Sequence, residues 1–158
     1  MIRRFTFILL AVLALALPCC TSVPDAQTRA DLSRKVYPAD ASWGPDLDIV
    51  IHREGKVLRI ANRMPWDYRD MELWLNQQYV TPVDTLKVGS GQVYALSGFV
   101  NQYEELFPRG GFFRPGKGFP VVLAELYDPK TDVRYHLTVQ PMIAKDIKEI
   151  ALSSLHPD

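Results

Sequence analysis

The amino-acid sequence predicts an all-β domain, an antiparallel β-sandwich of about seven strands. Short segments with an apolar residue at every second position recur from residue 48 onward, and turn-forming residues separate them. No long amphipathic helix pattern lies between these segments. With 158 residues, 47% of them hydrophobic, the chain is long enough for one domain with its own core.

Seven short segments carry the strand pattern, and they span residues 48–52, 57–62, 71–75, 79–83, 92–96, 121–127 and 133–139. The first two are joined across Glu54-Gly55, which predicts a hairpin. Its expected inward residues are Ile49, Ile51, Leu58 and Ile60. In the last segment, Arg134 and His136 occupy alternate positions that are expected to face solvent. Seven strands without intervening helices favour the immunoglobulin-like type of sandwich.

The regions on either side of the predicted sandwich, residues 44–141, differ from it in composition. Residues 20–43 are polar, contain two prolines and several aspartates and lack apolar periodicity, so they predict a linker. Residues 142–158 predict a short C-terminal helix or a tail. The apolar residues at helical spacing there are Ile143, Ile147, Ile150 and Ala151.

Residues 1–19 have the layout of a secretory signal peptide. Arg3 and Arg4 supply a positive start, and residues 5–17 are apolar except for Thr6. The apolar run is shorter than the roughly 20 residues that a transmembrane helix needs. The sequence therefore predicts export of the chain and removal of this leader.

The end of the leader, Leu17-Pro18-Cys19-Cys20, resembles the lipobox of bacterial lipoproteins. In that motif an aliphatic residue stands three positions before the lipidated cysteine, and a small residue stands immediately before it. Leu17 and Cys19 occupy these positions if Cys20 is modified. Modification of Cys19 would instead place Pro18 beside the cleaved bond, where its ring obstructs a peptidase. The resemblance implies a lipid with palmitate-type chains on Cys20, with Cys19 as the alternative.

Lipid attachment implies a partner, the membrane, and a location on the extracytoplasmic side of the cell envelope. Thr21 follows Cys20, so the acidic residue that retains Gram-negative lipoproteins in the inner membrane is missing. The resemblance then implies the outer membrane in a Gram-negative cell. An ordinary cleaved signal peptide is the alternative, and it predicts a secreted or periplasmic soluble protein.

Charge and cysteine content exclude several classes of function. The chain has 18 basic and 18 acidic residues, and loss of Arg3 and Arg4 with the leader leaves 16 against 18, a formal charge of −2. Nucleic acid is not an expected partner, because a phosphate backbone requires a basic face. The folded part contains no cysteine, so it has no disulfide, cysteine metal site or thiol nucleophile. No cofactor is expected.

The run 58–76 looks like part of small bacterial immunoglobulin-like modules of extracytoplasmic proteins. In such modules a strand ending in Asn is followed by a Trp-Asp loop and by a strand ending in Leu-Asn. Asn62, Trp66-Asp67 and Leu75-Asn76 fill these places. The likeness covers roughly residues 46–140. It implies a structural or binding module, and it carries over no catalytic residues.

The loop 108–120 is the first candidate binding surface. Its basic and aromatic side chains suit an anionic glycan, a lipid headgroup or a protein partner. They are Arg109, Phe112, Phe113, Arg114 and Lys117. In the interpretation that the sequence favours, the phenylalanines fold back and close the open end of the sandwich. An envelope hydrolase that uses this loop is a further alternative.

Trp66 and Trp74 are the second candidate surface, because exposed indole rings stack on sugars, but the sequence favours packing of these rings in the domain. His52 and His136 are the candidate metal ligands, but both are expected on solvent faces, so no metal site is predicted.

The sequence therefore favours a non-enzymatic, lipid-anchored module that binds an envelope protein or glycan. A secreted or anchored carbohydrate-binding module is the alternative.

Overall fold

The structure, a computed structural model, describes residues 23–108 and 119–141. In these ranges the chain forms one short helix, one 3₁₀ turn and nine strands in two sheets, which confirms the predicted all-β sandwich. The elements are α1 (Ala26–Ser33), β1 (Ser42–Trp43), β2 (Ile49–Glu54), β3 (Val57–Asn62), β4 (Tyr68–Leu75), β5 (Tyr79–Leu86), β6 (Gly89–Ala95), the 3₁₀ turn Leu96–Gly98, β7 (Ala124–Asp128), β8 (Val133–His136) and β9 (Thr138–Gln140). The predicted leader, most of the loop 108–120 and the predicted C-terminal helix lie outside the described residues.

The two sheets are connected in the way typical of immunoglobulin-like sandwiches. The strand order is β6-β3-β2-β9 in one sheet and β1-β8-β7-β4-β5 in the other. After the β2–β3 hairpin the chain crosses to β4 and β5, returns to place β6 beside β3, and crosses again to β7 and β8. The strands β2 to β8 correspond to the seven predicted segments.

The two remaining strands pair in parallel. The sequence predicted a wholly antiparallel sandwich, so this part of the prediction is wrong. β1 pairs with β8, and β9 pairs with β2. The predicted last strand, 133–139, is divided at Leu137, where the chain passes from the five-stranded sheet to the four-stranded sheet. Because the hydrophobic alternation of the sequence continues across Leu137, it does not reveal this division.

The core lies between the sheets. The predicted inward residues of the β2–β3 hairpin are confirmed as buried, and Ile51 and Leu58 expose no surface. They share one cluster with the inward leucines of β4 and β7, which are Leu73, Leu75 and Leu126. The hairpin turn contains Gly55 with φ of 56°, a left-handed conformation that glycine adopts without steric cost. Burial of each large apolar side chain contributes about 1.5 to 3 kcal/mol.

Residues 25–43, predicted as part of the polar linker 20–43, belong to the folded domain. Asp25 caps the start of helix α1, because its carboxylate accepts a hydrogen bond from the Thr28 backbone N–H at 2.7 Å. Leu32 is buried against Trp74. The chain then crosses the outer face of the five-stranded sheet and ends in β1. We call residues 25–43 the N-terminal strap, and the linker prediction is corrected accordingly.

Candidate functional site

The N-terminal strap covers a row of polar and aromatic side chains on the outer face of the five-stranded sheet. These side chains alternate with residues of the core, so they point away from it. They are Glu72 and Trp74 of β4, Glu125 of β7, and Arg134 and His136 of β8. Although this face is directed outward, Trp74, Glu125 and Arg134 are only 2%, 1% and 6% exposed. The strap therefore buries two charged groups.

Tyr37 of the strap joins these two buried charges. Its hydroxyl donates to Glu125 Oε2 at 2.5 Å and accepts from Arg134 Nη1 at 2.5 Å. Arg134 Nη2 also donates to the backbone carbonyls of Ala39 and Ala41, at 2.7 and 3.3 Å. Glu125 Oε1 has no hydrogen-bond partner among the residues that the structure describes. The strap thus supplies the polar contacts that make burial of the two charges tolerable.

A second set of contacts fastens the strap to β4. Lys35 Nζ lies 2.5 Å from Glu72 Oε1, and Trp74 Nε1 donates to Glu72 Oε2 at 3.1 Å. The Tyr37 ring meets the Trp74 ring edge-on, with the centroids 5.5 Å apart. One apolar and one charged contact therefore lie side by side on this strand, and both depend on the strap.

Trp43, in β1, ends the strap and packs over β8. The Arg134 guanidinium lies 4.2 Å from the Trp43 ring centroid, a cation–π contact. The His136 ring is stacked on Trp43 with the centroids 4.3 Å apart and 11° between the ring planes. His136 is exposed, as the alternation predicted. For Arg134 the solvent-facing prediction is wrong, because the strap covers it.

This cluster of side chains fastens the strap rather than presenting reactive groups. Two carboxylates, a tyrosine and an arginine also occur in acid–base active sites, but here Glu72, Glu125 Oε2 and the Arg134 Nη atoms are bonded to the strap. A substrate would reach Glu125 only after the strap was displaced. Sequence reasoning missed the cluster, and its only signals were Tyr37 and Trp43, two large aromatic residues in a polar segment.

Tyr37 makes the stability of the domain dependent on pH at the alkaline end. Burial and the hydrogen bond to Glu125 raise the pKa of Tyr37 above its ordinary value of 10.0. A raised pKa in the folded state contributes stability that is complete below the unfolded pKa and is lost as the pH rises through the folded pKa. We therefore expect the free energy of unfolding to fall as the pH increases above 10, and to fall less steeply in Tyr37→Phe. Urea unfolding between pH 9 and 11.5 measures both slopes, and equal slopes would contradict this role.

The predicted binding loop, 108–120, is described only at its ends. Its candidate contact residues, Arg109, Phe112, Phe113, Arg114 and Lys117, lie outside the described residues. Before the loop, Phe107 is 1% exposed, and its ring packs edge-on against Tyr79 at 4.9 Å and Phe119 at 5.6 Å. This aromatic cluster closes the end of the core from which the loop leaves.

Asn76 and Arg53 hold the chain where the loop returns to the sandwich. Asn76 Nδ2 donates to the Pro120 carbonyl at 2.8 Å, and its Oδ1 accepts from the Val122 backbone N–H at 2.9 Å. The Arg53 guanidinium donates to the Phe119 carbonyl. Both ends of the loop are therefore fixed to the sandwich.

The two tryptophans of the predicted sugar-stacking surface lie in different environments. Trp74 is buried beneath the strap, which confirms the favoured packing interpretation and rules out a place on the candidate binding surface. Trp66 is 53% exposed. Its loop is clamped by the fully buried Asn62, whose Nδ2 donates to the carbonyls of Trp66 and Leu86 at 3.0 and 3.1 Å. Trp66 is therefore an exposed aromatic ring on a firmly held loop.

The two histidines considered as metal ligands do not come together. His52 lies in β2 and His136 in β8, which belong to different sheets. Within residues 23–108 and 119–141, no group of three or more His, Cys, Asp or Glu side chains is placed to hold a metal ion. No helix in the described part of the chain is both long enough and apolar enough to span a membrane.

Comparison with known proteins found no matching family model, no matching curated protein and no matching solved structure. Function is therefore inferred from the residues themselves. The predicted leader, the N-terminal strap and Trp66 are the features that bear on it.

Proposed function

We propose that this protein is a lipoprotein of the bacterial envelope, anchored through Cys20, whose folded domain binds a partner without catalysis. The observation that carries the proposal is the position of the lipobox-like segment, Leu17 to Cys20, directly before the firmly packed strap. A lipid at that point would be joined to the domain rather than to a loose tail. Cys19 is the alternative attachment site, and a secreted or periplasmic soluble protein is the alternative location.

The contacts that the buried polar side chains make with the strap support binding rather than catalysis. Glu72, Glu125 and Arg134 contact the strap instead of opening into a cleft. Perturbed groups in an accessible cleft are the usual mark of an active site. A hydrolase that uses the loop 108–120 remains an alternative from the sequence, and no contact among the described residues favours it. The basic and aromatic residues of that loop are proposed as one surface for an envelope partner.

Replacing Cys20 tests the anchor. In Cys20→Ala we expect the protein to leave the membrane fraction and to lose incorporated palmitate, because a lipid anchor holds through burial of its acyl chains, at about 0.8 kcal/mol per CH₂. Cell fractionation with labelled palmitate measures both. The matched control is Cys19→Ala, which should stay in the membrane fraction with its label. If Cys20→Ala stays in the membrane fraction and carries labelled palmitate, the lipid is attached to Cys19. Absence of label from every form would refute the lipoprotein proposal.

The exposure of Trp66 favours carbohydrate binding as the second candidate function. Its ring stands on the clamped loop next to Asp67, whose carboxylate accepts a hydrogen bond from the Val88 backbone N–H at 2.9 Å. Asp67 and Arg69 also form an ion pair at 3.8 Å. An indole face beside charged hydrogen-bonding groups is suited to a sugar ring, which has apolar faces and a polar rim.

Trp66→Ala tests this second function. If the indole stacks on a wall glycan, we expect about a tenfold loss of affinity, the amount that corresponds to roughly 1.4 kcal/mol. Co-sedimentation of the full-length protein with insoluble cell-wall glycan measures the loss. Tyr103→Ala is the matched control, because Tyr103 is an exposed aromatic residue in another loop. Equal binding by both variants and the wild type would exclude Trp66 as the sugar site.

A further inference from the structure

We infer that the lipid holds the folded domain at the surface of the bilayer that carries it, because no more than four residues separate Cys20 from the first residue of the fold. This inference rests on the proposed lipid anchor. Its partner is the lipid headgroup surface, and the contact is enforced by the short connection rather than by a binding pocket.

The ordered domain begins at the N-terminus of helix α1. The Asp25 carboxylate accepts a hydrogen bond from the Thr28 backbone N–H at 2.7 Å, and the Asp25 carbonyl accepts one from the Arg29 backbone N–H at 3.0 Å. Helix α1 follows at once, and Leu32 on its last turn is buried against Trp74. Asp25 is therefore already part of the ordered domain.

The strap is held against the sheet, so it does not lengthen the connection between the lipid and the domain. Lys35 is paired with Glu72, Tyr37 contacts Glu125, and the carbonyls of Ala39 and Ala41 accept hydrogen bonds from Arg134. Release of the strap would break these contacts and expose Leu32, which is 5% exposed in the folded domain. Exposure of a buried leucine side chain costs about 1.5 to 3 kcal/mol.

Residues 21–24, which connect Cys20 to Asp25, can span only a short distance. Five Cα-to-Cα steps lead from Cys20 to Asp25, and at most about 3.6 Å per residue they span roughly 18 Å in any conformation. A linker extending over 20–43 would instead reach about 80 Å when fully extended. With the strap packed, the anchored domain cannot move away from the headgroups as a domain on a long linker would.

Trp66 and the cluster that contains Leu32 of α1 lie at opposite ends of β4. Leu32 contacts Trp74, near the end of β4, whereas Trp66 lies just before β4 begins. The six residue steps between Tyr68 and Trp74 correspond to about 20 Å along the strand. Trp66 is thus at the opposite end of β4 from Trp74, and it is 53% exposed.

A site-specific label measures the distance to the bilayer, because the folded part has no cysteine of its own. Gln27 is exposed on α1, so full-length lipidated Gln27→Cys can carry a fluorophore in vesicles that contain a headgroup nitroxide, a short-range quencher. We expect strong quenching. The matched control adds twenty Gly/Ser residues between Ser22 and Val23, which raises the root-mean-square span from about 12 Å to about 27 Å. Quenching should fall at least twofold in this control.

Each outcome has one meaning. Strong quenching that the insertion weakens supports the short connection. Weak quenching of vesicle-bound, palmitate-labelled Gln27→Cys, unchanged by the insertion, would overturn it while leaving the anchor intact. Protein that carries no palmitate and separates from the vesicles on flotation would refute the anchor, and the inference would fall with it.

Discussion

Replacement of Arg134 with alanine is expected to lower the free energy of unfolding by about 3 to 5 kcal/mol, the cost of breaking a buried charged network from one side. The guanidinium donates to Tyr37 and to two strap carbonyls, and it lies over the Trp43 ring. Without it, the Glu125 carboxylate stays buried and loses the positive charge on the other side of the Tyr37 hydroxyl, which bridges the two groups. Urea unfolding of the full-length protein at pH 7 measures the loss.

Two controls separate this network from ordinary surface charge. Arg59 lies on the other sheet, is exposed and pairs with Glu54 at 2.8 Å, so Arg59→Ala should change stability little. Arg134→Lys keeps the charge but loses the fork of donors, so its stability should fall between those of the wild type and Arg134→Ala. If Arg134→Ala were no less stable than Arg59→Ala, the strap would not depend on this network.

The strap itself provides an independent measurement. In Arg134→Ala the strap loses the donors that hold the carbonyls of Ala39 and Ala41. Cleavage by trypsin after Arg34 or Lys35 should then become faster than in the wild type, because proteases cut backbone that opens locally. Unchanged cleavage combined with reduced global stability would place the effect in the sheet rather than in the strap.

Much of the sandwich could be predicted because its strands have one face in the core and one face outside. Period-two alternation marks such strands directly, and Ile49, Ile51, Leu58 and Ile60 are buried as the pattern requires. The parallel strands β1 and β9 could not be predicted in this way. They have two and three residues, too few for a period to be recognised, and their pairing is decided by distant parts of the chain.

The N-terminal strap could not be predicted because its contacts have no period. It is held by Leu32, Tyr37 and Trp43 at irregular intervals, together with charged groups that composition alone assigns to solvent. Alternation identified the outer face of β8 correctly, but it contains no information on what covers that face. Arg134 was therefore assigned to solvent although it is nearly buried.

The same reasoning explains why the sequence did not separate Trp66 from Trp74. Both tryptophans lie outside the core between the sheets, one in a loop and one on the outer face of β4. The difference is the strap, which packs Tyr37 against Trp74 and leaves Trp66 exposed. Identification of the candidate sugar contact therefore required the fold, whereas the candidate anchor at Cys20 depends on the sequence alone.

Phe107→Ala is expected to lower the free energy of unfolding by about 3 to 5 kcal/mol, because it leaves a cavity in a closed aromatic cluster. The ring is 1% exposed, packs against Tyr79 and Phe119, and lies 5.8 Å from the Arg53 guanidinium. Phe107→Leu keeps most of the volume and should lose less than about 1.5 kcal/mol. Urea unfolding of the full-length variants measures both values.

Phe119→Ala decides whether this cluster belongs to the core or to the loop. Phe119 contacts the same rings but is exposed, so its replacement should cost much less than that of Phe107. The Arg53 bond to the Phe119 carbonyl does not depend on the side chain, so the return of the loop should stay fixed in this variant. Equally small losses for the two variants would mean that the aromatic cluster is a surface patch. The end of the sandwich beneath the loop 108–120 would then be open rather than closed by Phe107.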